Sequence, residues 1–133
     1  MKSKTKSKTT IGAVQSIPLS LGICAGDFVF TSGQVAFDDK GKVIEGGIEV
    51  QTRVVLQRIE KILKEAGCSL KDVVKTTVWL ADVRDFGRFN AVYAEFFPEN
   101  PPARSTVRAD LMIDVKIEIE ALAYRPQGGE RAR

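Results

Sequence analysis

The chain contains no histidine, and this absence excludes several classes of mechanism at once. Histidine is the usual acid–base residue near neutral pH, the base of serine-type triads and the commonest ligand of transition metals. Any proton transfer in this protein therefore has to use carboxylates, hydroxyls, lysine, a thiol or water. We accordingly expect no metal site.

Cysteine and long apolar runs are also scarce. Cys24 and Cys68 are far apart in the sequence and do not form a CxxC motif. No apolar run approaches the ~20 residues that are needed to cross a bilayer, and the N-terminal lysines are not followed by the apolar segment of a secretory signal. We therefore expect a cytoplasmic protein with reduced thiols and no membrane contact.

The excess of positive charge is concentrated at one end of the chain. The 133 residues include 20 Lys and Arg against 17 Asp and Glu, a formal net charge of +3. Without the four lysines at positions 2, 4, 6 and 8, the count is 16 basic against 17 acidic, a net charge of −1. A near-neutral body argues against a nucleic-acid partner. We expect a disordered basic tail over 1–9, one domain over 10–125 and a second tail over 126–133.

The pattern of apolar residues predicts an α+β domain. Helical spacing predicts one helix over 48–66, ended by Gly67, and an aromatic stripe predicts a second helix that Asp85 caps and Pro98 stops. Strands are predicted over 28–34, over 73–80, around 107 and over 115–124, and a short capped turn at 69–72.

Residues 115–124 alternate between apolar and polar side chains, which is typical of a strand with two different faces. The apolar set is expected to lie under the two helices. The opposite face carries charges together with Leu122 and Tyr124, so we expect it to be partly buried. A sheet with helices on one side leaves its other side open, and a second subunit is the simplest cover for it.

Arg104 and the two glutamates of the last strand are candidate functional residues. Arg104 follows the rigid pair Pro101-Pro102, and an arginine can hold a carboxylate through two parallel charged hydrogen bonds. Glu118 and Glu120 share a strand face, where either could orient or deprotonate a water. Together they suggest a site for a small substrate with a carboxylate at one end and a hydrolysable group at the other. From spacing alone, an exposed ion pair is the simpler interpretation of Arg104.

Six motifs, in order, resemble the reactive intermediate deaminase family, also called RidA or YjgF-like. The resemblance runs from about Pro18 to Ala123. The motifs are Thr31-Ser32-Gly33-Gln34, Gln51-Thr52-Arg53, Asp72-Val73-Val74-Lys75-Thr76-Thr77-Val78, Asp85-Phe86 with Asn90 and Tyr93, Pro102-Ala103-Arg104-Ser105, and Ile117-Glu118-Ile119-Glu120-Ala121. Each is weak alone, but six in this order and spacing are specific.

The resemblance implies a fold like that of the trimeric chorismate mutases: a mixed sheet with two helices on one face, assembled as a homotrimer with three clefts at subunit interfaces. It also implies hydrolysis of enamine and imine intermediates, such as 2-aminoacrylate, to a 2-keto acid and ammonia without a cofactor. By the same resemblance, Arg104 clamps the substrate carboxylate and Glu118 positions the attacking water. Because Glu120 shares the strand face of Glu118, it is kept as the fallback.

The lining of the cleft is also implied by the resemblance. It assigns Ser32, Gly33 and Asn90 to the cleft, where the hydroxyl of Thr106 can also touch the ligand. On the residues alone, Ser32-Gly33 is equally well a turn at a strand end, and Asn90 a structural hydrogen-bond partner.

Two cleft positions differ from the family pattern. Leu19 stands where deaminating members usually have tyrosine, and Thr106 where they often have cysteine. The substrate could therefore also be a larger or more apolar imino acid, or an enamine that is an intermediate of a metabolic pathway. Two other functions are kept as alternatives: a non-catalytic protein that binds 2-keto acids or other small carboxylates, which Leu19 favours, and an endoribonuclease or translation inhibitor, which the near-neutral body disfavours.

Overall fold

A computed structural model describes residues 8–126. The two predicted tails lie mostly outside these described residues. The boundary of the first tail was wrong by two residues, because Lys8 and Thr9 begin a strand that pairs with residues 24 and 25.

Within residues 8–126, six strands form one mixed sheet and two α-helices complete the fold. The strands are β1 (Lys8–Ile11), β2 (Gly22–Ala25), β3 (Phe28–Thr31), β4 (Val73–Leu80), β5 (Ala103–Arg108) and β6 (Ile117–Tyr124), and the helices are α1 (Ile48–Glu65) and α2 (Phe86–Phe96). The order across the sheet is β1-β2-β3-β6-β4-β5. Only β4 and β5 run parallel among these pairs. The predicted α+β class is confirmed.

The parallel pair explains the place of α2. Two parallel neighbours cannot be joined by a hairpin, so the chain has to cross over one face of the sheet between them. Residues 81–102 make that crossover and contain α2. The helix consequently lies beside the β4–β5 edge of the sheet, where Tyr93 and Thr76 of β4 share a buried hydrogen bond of 2.7 Å.

Helix α1 forms because its apolar residues recur at helical spacing and can all face the sheet. Its buried residues include Val55, Leu56, Ile59 and Leu63, which belong to the same core cluster as Ile117 and Ile119 of β6. The helix ends at Glu65, and Gly67 follows with a φ of +80°, a conformation that glycine adopts without strain. The predicted capping box is confirmed, with Ser69 and Asp72 bonding each other's backbone around a short 3₁₀ turn.

Several predicted boundaries need correction. Strand β3 ends at Thr31, and Gln34 forms a separate bridge with Ile119. Strand β6 begins at Ile117, two residues later than predicted. Asp85 occupies the N-cap position of α2 but makes no side-chain cap bond there. Instead, Asp82 caps the 3₁₀ turn that precedes the helix, by accepting from the Arg84 amide.

The two faces of the sheet differ sharply. On β6, residues 117, 119, 121 and 123 are buried beneath the helices, as predicted; we call this side the helix face. The opposite side, the open face, carries Glu118, Glu120, Leu122 and Tyr124 of β6, with the cross-strand partners Phe28, Phe30 and Trp79. Phe28, Phe30 and Tyr124 are 42%, 45% and 43% exposed, which leaves apolar area on this face for another subunit to cover. No helix in the described part of the chain is long and apolar enough to span a membrane.

Candidate active site

Arg104 lies on β5, the edge strand of the sheet, and points to the helix face. The parallel register pairs it with Thr76, a residue that is buried under α2. Since α2 crosses this end of the sheet, the Arg104 guanidinium meets the aromatic side of that helix. It lies 5.8, 5.1 and 4.8 Å from the ring centroids of Phe86, Phe89 and Tyr93. The rings restrict the side chain while its hydrogen-bond donors stay available.

The ring contacts settle one alternative. Arg104 is half-buried, and no ion pair within residues 8–126 includes it. The interpretation of Arg104 as an exposed strand charge paired with a carboxylate was therefore wrong for this part of the chain. Tyr93 stays a neutral partner, because burial raises the pKa of its hydroxyl, an effect that bonds to Thr76 and Arg104 only partly oppose.

Thr106 and Asn90 lie on the same side as Arg104. Thr106 is two residues further along β5, so its side chain shares the helix face, and it lines a cavity of about 220 Å³ together with Phe86 and Val83. Asn90 follows Phe89 on α2 and falls on the helical face of Phe86 and Tyr93. We call Arg104, Thr106 and Asn90 the arginine half-site. The Asn90 side chain makes no hydrogen bond to the described residues, so its predicted structural role lacks a partner there.

Glu118 lies on the open face, directly against Gly33. A Cβ atom built on Gly33 would be 2.9 Å from Cδ of Glu118 and would overlap the carboxylate oxygen. The carboxylate thus occupies the space that any other residue at position 33 would fill. The structure therefore brings together Glu118 and Gly33, which the resemblance had placed in one cleft.

Ser32 and Leu19 extend this second group. The Ser32 amide donates to the Leu21 carbonyl at 2.9 Å, and the Ser32 hydroxyl donates to the Ser20 carbonyl. These bonds place the 19–21 segment beside Gly33. Leu19 is 43% exposed and lines a cavity of about 390 Å³ along residues 10–20. We call Glu118, Gly33, Ser32 and Leu19 the glutamate half-site.

The electrostatic state of Glu118 is unusual for a carboxylate. Burial raises its pKa, and the negative charge of Glu120, two residues along the same face, raises it further. No ion pair within residues 8–126 includes either glutamate. Such a group binds a proton more readily than an ordinary surface glutamate, which suits a residue that takes a proton from water and returns it.

Arg104 and Glu118 do not lie on neighbouring strands, because β4 lies between β5 and β6. Arg104 pairs with Thr76 of β4 and Glu118 pairs with Trp79, three residues further along the same strand. Because side chains alternate along a strand, positions 76 and 79 face opposite sides. Within one chain, the arginine half-site and the glutamate half-site are therefore on opposite faces of the sheet.

Other residues of the site were missed or read as core. Phe86 and Phe89 were assigned to an apolar stripe, yet they also support Arg104. The signal for this was the order strand–helix–strand over 73–108, since a parallel crossover places the helix over its own strands. Within residues 8–126, no three side chains of the metal-ligating types lie close enough to share an ion.

Comparison with known proteins gives one family. The model of the family described as Endoribonuclease L-PSP matches residues 11–125. A RutC family protein of Pyrococcus horikoshii is 51% identical over 110 residues, which cover 81% of this chain and 87% of that protein. A protein of Salmonella typhimurium named 2-iminobutanoate/2-iminopropanoate deaminase is 43% identical over 112 residues, covering 81% and 88% of the two chains.

A solved structure supports the same grouping. The crystal structure of TdcF from E. coli with bound serine superposes with a TM-score of 0.78 at 38% identity, covering 87% of this chain and 93% of that chain.

Proposed function

The chain belongs to the endoribonuclease L-PSP family, the Rid or YjgF-like proteins, and on this basis we propose that it hydrolyses 2-imino acids and their enamine tautomers to 2-keto acids and ammonia. The observation that carries the proposal is a pair of opposite charges, Arg104 and Glu118. Each is half-buried, and neither has an ion-pair partner among residues 8–126. Charges withdrawn from water without a partner are costly, and such groups concentrate at functional sites.

Arg104 supplies the binding end of the proposed site. A 2-imino acid carries a carboxylate, which the guanidinium receives through two parallel charged hydrogen bonds. The rings of Phe86, Phe89 and Tyr93 hold the guanidinium, so little side-chain freedom is lost when the substrate binds. The hydroxyl of Thr106 and the free amide of Asn90 lie where they can contact the same ligand.

Glu118 supplies the reacting end. An enamine first gains a proton at carbon, which gives the imine with its electrophilic carbon. The Glu118 carboxylate accepts a proton from water as the oxygen attacks that carbon, and a carbinolamine forms. Return of the proton to nitrogen makes ammonia the leaving group. As the C–N bond breaks, the carbinolamine hydroxyl loses its proton to solvent and becomes the carbonyl of the 2-keto acid. One water is consumed and no electron is transferred, so the reaction needs neither a redox cofactor nor an electrophilic one.

Assembly is part of the proposal. Because the two half-sites are on opposite faces of one sheet, we propose that the arginine half-site of one copy meets the glutamate half-site of another in a homotrimer. The exposed apolar residues of the open face and the free edge of β5 are consistent with contacts between copies. The names of the Salmonella deaminase and of the serine-bound TdcF structure support a small ligand of the amino-acid type.

The test is turnover of imines generated in place by an amino-acid oxidase, read as release of ammonia or keto acid beyond the spontaneous rate. Arg104→Ala is expected to lower kcat/KM by about 100-fold, because a charged pair of hydrogen bonds contributes about 3 kcal/mol. Arg88→Ala, which removes an exposed guanidinium from α2, is the matched control. Equal rates for Arg104→Ala and the unsubstituted protein on every imine would refute the clamp role.

A binding protein without chemistry is a distinct outcome of the same experiment. It would give no turnover, while 2-keto acids would raise the melting temperature of the unsubstituted protein and not of Arg104→Ala.

A further inference from the structure

The Ser32–Gln34 segment, which covers Glu118, is held firmly at both ends. The Ser32 amide donates to Leu21, and Gln34 exchanges two backbone hydrogen bonds with Ile119, at 2.8 and 3.1 Å. Between these anchors, Gly33 makes no backbone hydrogen bond to the described residues. Glycine has the widest backbone freedom of any residue. A further contact is therefore needed to fix the two peptide planes that flank Gly33.

A chain of hydrogen bonds from α1 supplies that contact. The buried Gln34 side chain donates from Nε2 to the Ser32 carbonyl at 3.1 Å, and its Oε1 accepts from Nε of Arg58 at 3.1 Å. Nη1 of the same guanidinium donates to the Phe37 carbonyl at 3.3 Å. Arg58 thus grips both the side chain of Gln34 and the backbone three residues beyond it. No ion pair within residues 8–126 includes Arg58, so its guanidinium has no carboxylate partner there and donates to these two oxygens instead.

We infer that Arg58 is a positioning residue for Glu118: through Gln34 it orients the Ser32–Gly33 peptide, which holds Gly33 against the Glu118 carboxylate. Arg58 touches neither the carboxylate nor the proposed substrate. The inference rests on the proposed function for its catalytic consequence, but its structural part concerns Glu118 alone.

The packing around Glu118 determines whether loss of Arg58 raises or lowers the Glu118 pKa. The charged residues along the chain that share its face are Glu120 of β6 and Lys116, which directly precedes β6, and Lys75 is the one on that face of β4. The facing residues of β3 are Phe28 and Phe30, and the Ser32–Gln34 segment has no titratable group. Burial is the largest cause of the raised Glu118 pKa. A loosened Gly33 would admit water to the carboxylate and lower that pKa.

The direct charge of Arg58 acts in the opposite direction. Loss of a nearby cation raises the pKa of a carboxyl group, whereas loss of its cover lowers it. The sign of the change therefore separates positioning from simple attraction.

The experiment is a carbon-13 titration of the Glu118 carboxyl in full-length protein labelled at glutamate, with the signal assigned by its disappearance in Glu118→Gln. Arg58→Met is expected to lower the Glu118 pKa and to reduce kcat/KM for imine hydrolysis by about tenfold or more, since small misplacements of a reacting group are costly. Arg58→Lys retains the charge and one donor, so it should recover part of both. Lys61→Met, which removes an exposed cation one turn further along α1, is the matched control and should change neither.

Each result supports or overturns the inference. An unchanged or raised Glu118 pKa in Arg58→Met would overturn it. If Arg58→Met does not fold, Arg58→Lys decides the question, because it preserves the charge while altering the geometry, and a Glu118 pKa equal to that of the unsubstituted protein would then overturn the inference.

The titration needs no turnover, which separates the two proposals. A lowered pKa in a protein that hydrolyses no imine would support the positioning role and refute the deaminase. Normal imine hydrolysis in an Arg58→Met protein with an unchanged pKa would do the reverse.

Discussion

At Gly33, the missing side chain creates the space in which the Glu118 carboxylate sits. A methyl group on Gly33 would overlap that carboxylate, whose side chain is flexible enough to move away. We expect Gly33→Ala to fold with a free energy of unfolding within about 1 kcal/mol of the unsubstituted protein. Its kcat/KM for imine hydrolysis should fall by about 100-fold, because the carboxylate is displaced by an ångström or more. Urea unfolding and the coupled oxidase assay measure the two quantities.

Gly87→Ala is the control for this substitution. Gly87 lies on α2, and a Cβ atom there meets nothing within 4 Å. It should leave both quantities almost unchanged. Full activity in Gly33→Ala would show that catalysis does not require the Glu118 carboxylate in the position it occupies in this structure.

Glu118 also links stability to pH. Burial and Glu120 raise its pKa in the folded protein above the ordinary value, so the folded state binds this proton more tightly than the unfolded state does. Its contribution to stability is then fully present below the unfolded pKa and is lost as pH rises through the folded pKa. We expect Glu118→Gln to raise the free energy of unfolding at about pH 8 relative to the unsubstituted protein, with a smaller difference at about pH 4.

Urea titrations at both pH values test this expectation. Glu60→Gln, which neutralises an exposed carboxylate on α1, should show no such difference between the two pH values. A destabilised Glu118→Gln at the higher pH would mean that the ionised carboxylate gains more from its surroundings than burial costs it.

The residues of the candidate site could be predicted from the sequence, but their arrangement could not. Arg104 and Glu118 lie within recognisable motifs. Gly33 is required because the Glu118 carboxylate approaches its backbone more closely than a side chain would allow. The opposite faces of Arg104 and Glu118 depend on β4 lying between their strands, a non-local pairing that no local pattern records. Arg58 gave no signal, because a half-buried arginine in a helix resembles its solvated neighbours.

Among the elements, α1 is hydrogen-bonded to Lys116, the residue that precedes β6, through the buried side chain of Gln51. Gln51 donates to the Ile44 carbonyl at 3.0 Å and accepts from the Lys116 amide at 2.8 Å, two residues before Glu118. Gln51→Leu would keep the bulk but leave both backbone groups without their partner. We expect it to lower the free energy of unfolding by about 2–4 kcal/mol, since each unsatisfied buried group costs about 1–3 kcal/mol. Urea denaturation measures this loss.

Gln57→Leu serves as the matched control, because Gln57 is exposed on the same helix. Its unfolding free energy should change by about 0.5 kcal/mol or less. Equal stabilities for the two leucine variants would mean that water replaces the Gln51 bonds.

At this scale, the long elements were predictable and the short ones were not. Helix α1 and strand β4 have strong periodicity, and their bounds were predicted within one residue. Strands β1 and β2 have only four residues each and contain lysine, threonine or glycine, so their apolar alternation is too short to detect. They form because each has a strand edge to pair with: β2 pairs with β3, and β1 pairs with β2.

For the whole molecule, the opposite placement of the two half-sites leads to a test of assembly. Arg104→Ala and Glu118→Gln proteins should each be nearly inactive, since every site lacks one group. Hybrids of the two, formed by co-expression with different tags, should recover about a third of the unsubstituted rate, because each mixed trimer has one interface of three with both residues intact. Ammonia release by the doubly purified hybrids measures this.

A hybrid of Arg104→Ala with the double variant Arg104→Ala, Glu118→Gln is the control, because no interface in it can regain an arginine. Inactive hybrids of the two single variants would argue that both groups serve the same site from one chain, against the faces on which they lie.

The separation of Arg104 from Glu118 by the thickness of the sheet has a consequence for dilution. A monomer would carry Arg104 and Glu118 on opposite faces of its sheet, and the two side chains could not contact the same substrate molecule. Specific activity, in units per milligram, would therefore vanish once the protein is diluted below the concentration at which its copies dissociate. The total activity in a cell would then fall more steeply than the protein concentration, so a modest decrease in expression would cause a larger relative loss of activity.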